Sequence, residues 1–359
     1  MTELSSSAPR PQSKIGPQAA ASVSTGVLSR KEFSSALRSL LALLVLIALP
    51  ALVRAQVSTP PSRQPDEYTI NVDVNMVVLH ATAQDHKGVL VSGLKQDDFQ
   101  VYEDGVLQQT KYFSHEDIPV TVGLVIDNSG SMTPKRADVI AAALAFARSS
   151  NPLDQMFVVK FNEKVSFSLP ANTPFTDQLV QLQVALSRIA STGETALYDA
   201  VVAALEHLKK GTRDKKVLIV ISDGGDNASK HKLNEITALA GQPDAIIYTI
   251  GIFDEQDGDR NPGVLKRLAK DTGGEVFLPQ SLKDIVPICE QIAHDIRNQY
   301  TLAYVPTNRK RDGTYRVIQV KASAPGRGRL AVCARTGYFA PLGPQPPPAS
   351  RATDHEVPN

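Results

Sequence analysis

Residues 120–132 read VTVGLVIDNSGSM, an apolar and β-branched run that ends in Asp127, Ser129 and Ser131 at alternate positions. One carboxylate and two hydroxyls so spaced, just past a buried strand, fall within reach of a common point. A cation held mostly by neutral hydroxyls keeps much of its positive charge free to bind something else. Two further segments offer the same kind of atom. STGETALYDA (191–200) presents Thr195 ahead of a helix, and VLIVISDGGDN (217–227) ends a buried strand in Asp223, with Gly224-Gly225 allowing a tight exit. Oxygen donors without Cys or His select Mg2+, Mn2+ or Ca2+ over zinc or copper. Each segment alone also has a plain structural reading. Asp and Ser form turns, Thr before a helix is ordinarily an N-cap, and Asp-Gly after a strand is ordinarily a turn. Met132 reads as packing, and Asp226 and Asn227 as turn residues.

The elements that must bring these segments together alternate between strand and helix from 119 to 298. Strands are predicted over 120–126, 156–161, 165–169, 217–222, 245–252 and 275–278. Helices are predicted over 135–148, 177–189, 196–209, 233–240, 262–270 and 282–297. The solid apolar strands VGLVI, VLIVI and AIIYTI suit a sheet covered on both faces. Such alternation implies an α/β fold with a doubly wound, mostly parallel sheet, whose ligand site lies at the carboxyl ends of the strands. In that sheet Asp127 and Asp223 end neighbouring strands, and Thr195 arrives from a loop above.

The flanks have a different period. A β-branched stretch over 68–83, a turn at 85–88 and a resumed strand at 89–91 are followed by a strand over 97–102. After the Glu103-Asp104-Gly105 turn, 106–113 reads as one returning strand. Beyond the α/β region, 300–305, 315–321 and 328–334 alternate, with turns at Asp312-Gly313 and Pro325-Gly326. Neither flank alone offers much of a core, so the expectation is one small β-sandwich built from 67–118 and 299–340, with 119–298 inserted between them.

At the amino end, Arg30, Lys31 and Arg38 precede an apolar run over 40–53 that contains Pro50 and closes on Arg54, Ala55 and Gln56. This is the pattern of a secretory signal peptide, 1–55, with a long extension in front. The run falls short of the roughly 20 residues that span a bilayer comfortably. A retained signal anchor is the rival reading, and a start of translation near Val27 would leave an ordinary signal. A Pro/Ser-rich linker follows over 56–66, and 341–359 is a Pro-rich tail expected to be disordered. Across the 359 residues the net charge is +1 and the apolar fraction 42%, which suits globular cores and gives no basic excess pointing to nucleic acid. The seven histidines lack zinc spacing. Cys289 and Cys333 are either one disulfide or two separately buried thiols.

Asp127-x-Ser129-x-Ser131, then Thr195, then Asp223 resembles the metal-ion-dependent adhesion site of von Willebrand factor type A domains, over about 120–298. The leader, the flank GLKQDDFQVYEDG and the tail segments YTLAYVP and ARTGYF also resemble an acidobacterial group of such proteins. The resemblance implies that Ser129 and Ser131 ligate the metal directly. It implies that Asp127 and Asp223 act mostly through waters, and that Thr195 joins directly in the ligand-competent state. It also implies a last helix that shifts along its axis when ligation changes, although a plainly packed helix is the simpler expectation for 282–297.

No G-x-S-x-G, Walker A or G-x-G-x-x-G string is present. Ser129 stands where related phosphotransferases keep a second Asp, and no histidine is expected near these motifs to serve as a general base. The expectation is therefore no catalytic residue. The chain reads as an exported module, periplasmic, envelope-bound or secreted, whose Mg2+ (or Mn2+/Ca2+) captures a carboxylate on a protein or extracellular-matrix partner. It involves no nucleic acid, and touches a membrane only if the leader is retained. The alternatives are a structural envelope-assembly protein whose metal organises a loop, and, less favoured, a metal-dependent hydrolase.

Overall fold

The computed structural model describes residues 76–187, 193–240, 245–253, 258, 260–326 and 328–343. All lie in the second of two units into which the chain divides, Asn71–Asn359, while the first, Met1–Ile70, lies outside the described residues. The expected leader and linker therefore fall outside them, as does the tail beyond Gly343. Among the described residues no helix is long and apolar enough to cross a membrane.

The chain enters through four short strands, β1 (Val77–Gln84), β2 (Phe99–Glu103), β3 (Val106–Gln108) and β4 (Thr110–Ser114). It then alternates: β5 (Val120–Asp127), α1 (Arg136–Ser149), β6 (Gln155–Phe161), β7 (Val165–Phe167), α2 (Leu179–Ser187) and α3 (Leu197–Leu208). There follow β8 (Lys215–Ser222), α4 (Leu233–Ala240), β9 (Ala245–Gly251), α5 (Pro262–Thr272), β10 (Val276–Phe277) and α6 (Ile285–Arg297). It closes with β11 (Tyr300–Tyr304), β12 (Tyr315–Ala324), β13 (Gly328–Cys333) and β14 (Gly337–Phe339).

Strands β5 to β10 form one sheet in the order β10-β9-β8-β5-β6-β7, parallel except for the β6–β7 hairpin. Every residue of β5 is buried, as the unbroken apolar run requires of a strand covered on both faces. Side chains of successive residues leave on opposite faces. Val122, Leu124 and Ile126 pack against α1, α2 and α6 through Val139, Phe146, Leu186, Ile285 and Ile292. Val125, Phe157 and Val220 pack against α3, α4 and α5 through Leu197, Leu205, Ile236 and Leu265. Each large side chain so buried contributes about 1.5–3 kcal/mol, so the two faces stabilise the central strands from both sides. Local signals set the helix starts: Pro262 opens α5 behind Asn261, whose Oδ1 accepts from the Val264 amide at 3.3 Å.

The flanks join each other by hydrogen bonds. β1 changes partner along its length, Val77–Ala81 pairing with β11 and Thr82–Gln84 with β13. β2 pairs with β12, and the whole forms an antiparallel path β3-β2-β12-β13-β1-β11-β4, with β14 beside β12. The path folds back on itself, so that Phe99 of β2 meets Tyr300 of β11 with ring centroids 5.0 Å apart.

Three local expectations are corrected. The single strand over 106–113 is two strands with different partners, β2 for β3 and β11 for β4. The break follows Gln108, whose side chain is buried and bonds Val106 O at 3.0 Å and Thr307 Oγ1 at 3.1 Å. Gln96–Asp98 is a 3-10 turn, with the Lys95 amide donating to Asp98 Oδ2 at 2.7 Å, and not the start of a strand. Leu282–Asp284 is likewise a 3-10 turn before α6. β14 was not expected from the sequence. Cys289 and Cys333 are both free thiols.

Candidate metal centre

Asp127 is the last residue of β5, and Asp223 directly follows β8, the adjacent strand. The parallel register therefore delivers both carboxylates to one edge. Ser129 and Ser131 lie in and beside the 3-10 turn Gly130–Lys135 that leads into α1. Four of the five expected residues are joined in one hydrogen-bonded cluster. The Ser129 amide donates to Asp127 Oδ1 at 2.9 Å, the Ser129 and Ser131 Oγ atoms are 3.2 Å apart, and Ser131 Oγ donates to Asp223 Oδ2 at 2.7 Å.

Thr195, just ahead of α3, is tied to the same edge through its backbone. Its amide donates to Asn227 Oδ1 at 2.8 Å, and its carbonyl accepts from the Asn227 and Ala228 amides at 3.0 Å each. Two residues earlier, Gly193 O accepts from the Gly130 amide at 3.2 Å, which draws the Thr195 loop against the Ser129–Ser131 turn. Gly193 has φ +89°, and an added Cβ would fall 1.8 Å from Glu163 Oε2. That carboxylate could swing aside, so φ is what demands glycine at 193, whereas at Gly224 φ is +79° and a Cβ would sit 2.4 Å from the fixed backbone oxygen of Asn261.

Several contributors were not visible as site residues in the sequence. Ser222 Oγ donates to Asp127 Oδ2 at 2.6 Å and accepts from the Gly224 amide at 3.0 Å. The available signal was a lone hydroxyl closing an otherwise apolar strand. Asn227, read as a turn residue, clamps Thr195. Asp226 Oδ1 accepts from the Tyr198 amide at 3.2 Å and so caps α3, whose own N-cap residue, Ala196, has no side chain for the task. Lys135 is buried, and its Nζ donates to Ile252 O at 3.1 Å, fixing the far end of the 3-10 turn to the exit of β9. His231, eight residues past Asp223, has its Nδ1 2.7 Å from Asp199 Oδ1 in the first turn of α3. It makes no hydrogen bond to any of the five expected residues. Met132 is buried in the core.

Burial pushes the Asp127 carboxyl up to about 6. The hydrogen bonds from Ser129 and Ser222 oppose that rise, and the charge of Asp223 adds to it. The donor set is hard oxygen throughout. Two oxygens bound at right angles to one Mg2+ at 2.0–2.1 Å stand about 3 Å apart. The 3.2 Å between the serine hydroxyls fits that spacing. Among the described residues no group of three or more His, Cys, Asp or Glu side chains could hold a metal, so a cation here would depend on the hydroxyls.

Residues 122–225, which include all five positions, match the family model of the von Willebrand factor type A domain. No curated protein matches the chain. Among solved structures, one described as von Willebrand factor type A from Catenulispora acidiphila is 14% identical, with 73% of each chain covered and a TM-score of 0.46. The vWF domain of the type V pili tip protein Mfa5 from Porphyromonas gingivalis is 14% identical over 50% of this chain and 95% of that one, with a TM-score of 0.43. Proximal thread matrix protein 1 from the mussel byssus, with a zinc-occupied MIDAS motif, is 17% identical over 54% and 50%, with a TM-score of 0.43. Likenesses this loose carry no functional inference. What the family match establishes is that this chain, over residues 122–225, is similar to the von Willebrand factor type A domain.

Proposed function

We propose that the chain is an exported, metal-dependent binding module, in which Asp127, Ser129, Ser131, Thr195 and Asp223 hold Mg2+ (or Mn2+/Ca2+) and the cation captures a carboxylate on a protein or matrix partner. The observation that carries this reading is the position of Ser131 Oγ, 3.2 Å from the Ser129 hydroxyl and 2.7 Å from an Asp223 oxygen. The cation would supply an electrophilic centre. Ser129 and Ser131 would contribute neutral oxygens, so that its charge is not cancelled, and Asp127 and Asp223 would orient those hydroxyls from behind. A cation would also offset the cost of keeping Asp127 and Asp223 ionised in a buried place.

The loop bearing Asp223 is already fixed by the Asn227 clamp and the Asp226 cap. This favours a binding role for the metal over one confined to shaping a loop. The flanks are read as a small β-sandwich that supports the inserted 119–298 region. Support comes from β1, which serves both β11 and β13, and from the Phe99–Tyr300 contact across the core. Export rests on the leader over 1–55, which N-terminal sequencing of the mature protein tests. The binding reading is tested by capture from cell envelope with Mg2+ against chelator, using wild type and Ser131→Ala. Mg2+-dependent capture by wild type alone supports it. Capture that survives both chelation and Ser131→Ala would overturn it.

A further inference from the structure

Where the α/β unit meets the antiparallel sheet lies a buried polar node. Asp295, in the last turn of α6, is 1% exposed, and neither of its carboxylate oxygens has a hydrogen-bond partner. The side-chain amide of Gln291, one turn earlier, favours the ionised form and opposes the rise that burial causes. Gln299, four residues on and 2% exposed, spends its Nε2 on Thr82 Oγ1 at 3.3 Å and Tyr248 Oη at 3.1 Å, while its Oε1 has no partner. Three acceptor atoms of the node are thus without a partner, beside the hydroxyls of Thr82 and Tyr248. It is where α6, β9, β1 and the start of β11 meet, since Tyr248 lies in β9, Thr82 in β1, and Gln299 immediately precedes β11.

An orphaned buried carboxylate is strongly unfavourable unless something neutralises it. A metal ion is a poor candidate, because Asp295, Glu275, Cys333 and His294 do not converge into a group able to hold one. A single proton suffices: a protonated Asp295 carries no charge and needs no counter-ion. The Tyr248 hydroxyl of β9 faces Asp295 and accepts from Gln299 Nε2, but makes no hydrogen bond to either carboxylate oxygen. From ahead of β10 comes Glu275, itself bonded by Gln84 Nε2 at 3.3 Å, and from β13 the Cys333 thiol. On α6 itself His294 is mostly exposed, with Nδ1 3.8 Å from Asp295 Oδ1, beyond hydrogen-bond range. From β8 Lys215 Nζ is committed to the Ile296 carbonyl.

We propose that Asp295 is protonated in the folded molecule and that this proton holds the end of α6 in its junction with the antiparallel sheet; release of the proton to solvent loosens the junction. Burial, with the charge of Glu275 adding to it, pushes this carboxyl up to about 7. A carboxyl raised on folding contributes stability that is complete below its unfolded value near 4 and is lost as pH rises to about 7.

Amide hydrogen exchange over 292–301, corrected for the intrinsic pH dependence of exchange, tests the latch. Wild type is expected to show an opening constant that rises about tenfold per pH unit between pH 5 and 7 and then levels off. Asp295→Asn, which is neutral at every pH and does not titrate, is expected to be flat, and His294→Gln to keep the wild-type slope. If Asp295→Asn does not fold, carboxyl-carbon NMR of wild type reads the proton directly. An Asp295 resonance that titrates near 7 supports the latch, and one already ionised at pH 5 overturns it. A slope unchanged in Asp295→Asn, or abolished by Glu275→Gln instead, also overturns it.

Discussion

Asp127 and Asp295 are almost equally buried, at 2% and 1% exposed, yet the fold treats them in opposite ways. Asp127 accepts from the Ser129 amide and the Ser222 hydroxyl at 2.9 and 2.6 Å, and stands beside a second carboxylate, Asp223. Neither Asp295 oxygen is held by a backbone amide or a hydroxyl. A carboxylate that must keep its charge is surrounded by donors aimed at its oxygens, whereas one that gives up its charge needs no such donors. The carboxyl edge of the parallel sheet is built in the first manner, the junction with the antiparallel sheet in the second.

The largest effect that separates the two regions is metal linkage. Mg2+ at about 100 times its dissociation constant is expected to stabilise wild type by about 2.7 kcal/mol and Ser131→Ala not at all, measured by urea denaturation. Equal gains in both proteins would remove the candidate centre from the comparison. Next, Ser222→Ala at pH 8 should cost about 1.5–3 kcal/mol, because it takes a hydrogen bond from a buried charged group. The cost should shrink at pH 5, below the value of about 6 to which Asp127 is raised. A loss that does not vary with pH would mean that Asp127 is not the charged partner.

A third prediction concerns the start of β8, where burial lowers the Lys215 ammonium to about 7, with Asp154 and Asp117 opposing. A lysine depressed on folding makes the unfolded chain the stronger proton binder above that value. Stability should therefore rise between pH 7 and about 10.5, by up to about 1.4 kcal/mol per pH unit. Lys215→Met should abolish that rise in a series of melts and leave the Asp295-linked slope below pH 7 in place. The smallest expected effect is at the Thr195 clamp. Asn227→Ala should cost about 1 kcal/mol of stability and weaken Mg2+ binding in calorimetry. Unchanged metal affinity would show that Thr195 needs no clamp.

Much of the α/β half was legible because its signals are local. VTVGLVID and KKVLIVIS are too apolar to be anything but covered strands, and Pro262 after Asn261 announces α5. Asp127, Ser129 and Ser131 are two residues apart, so one turn determines their cluster. Ser222 and Asn227 were harder to read, because their roles depend on Asp127 and Thr195, some 95 and 32 residues away. The 106–113 segment was misread because its break depends on Thr307, about 200 residues later. His231 likewise reaches Asp199 only through the fold.

The sequence alone determined which segments are strands or helices in the α/β unit, and that oxygen donors gather at strand ends, because periodicity and turn chemistry act over a few residues. Tertiary structure decided how the flanks pair, which hydroxyl serves Asp127, and that Asp295 is buried with no backbone amide or hydroxyl on its oxygens. Those outcomes depend on contacts between residues far apart in the chain, and on the balance of donors and acceptors that only burial makes costly.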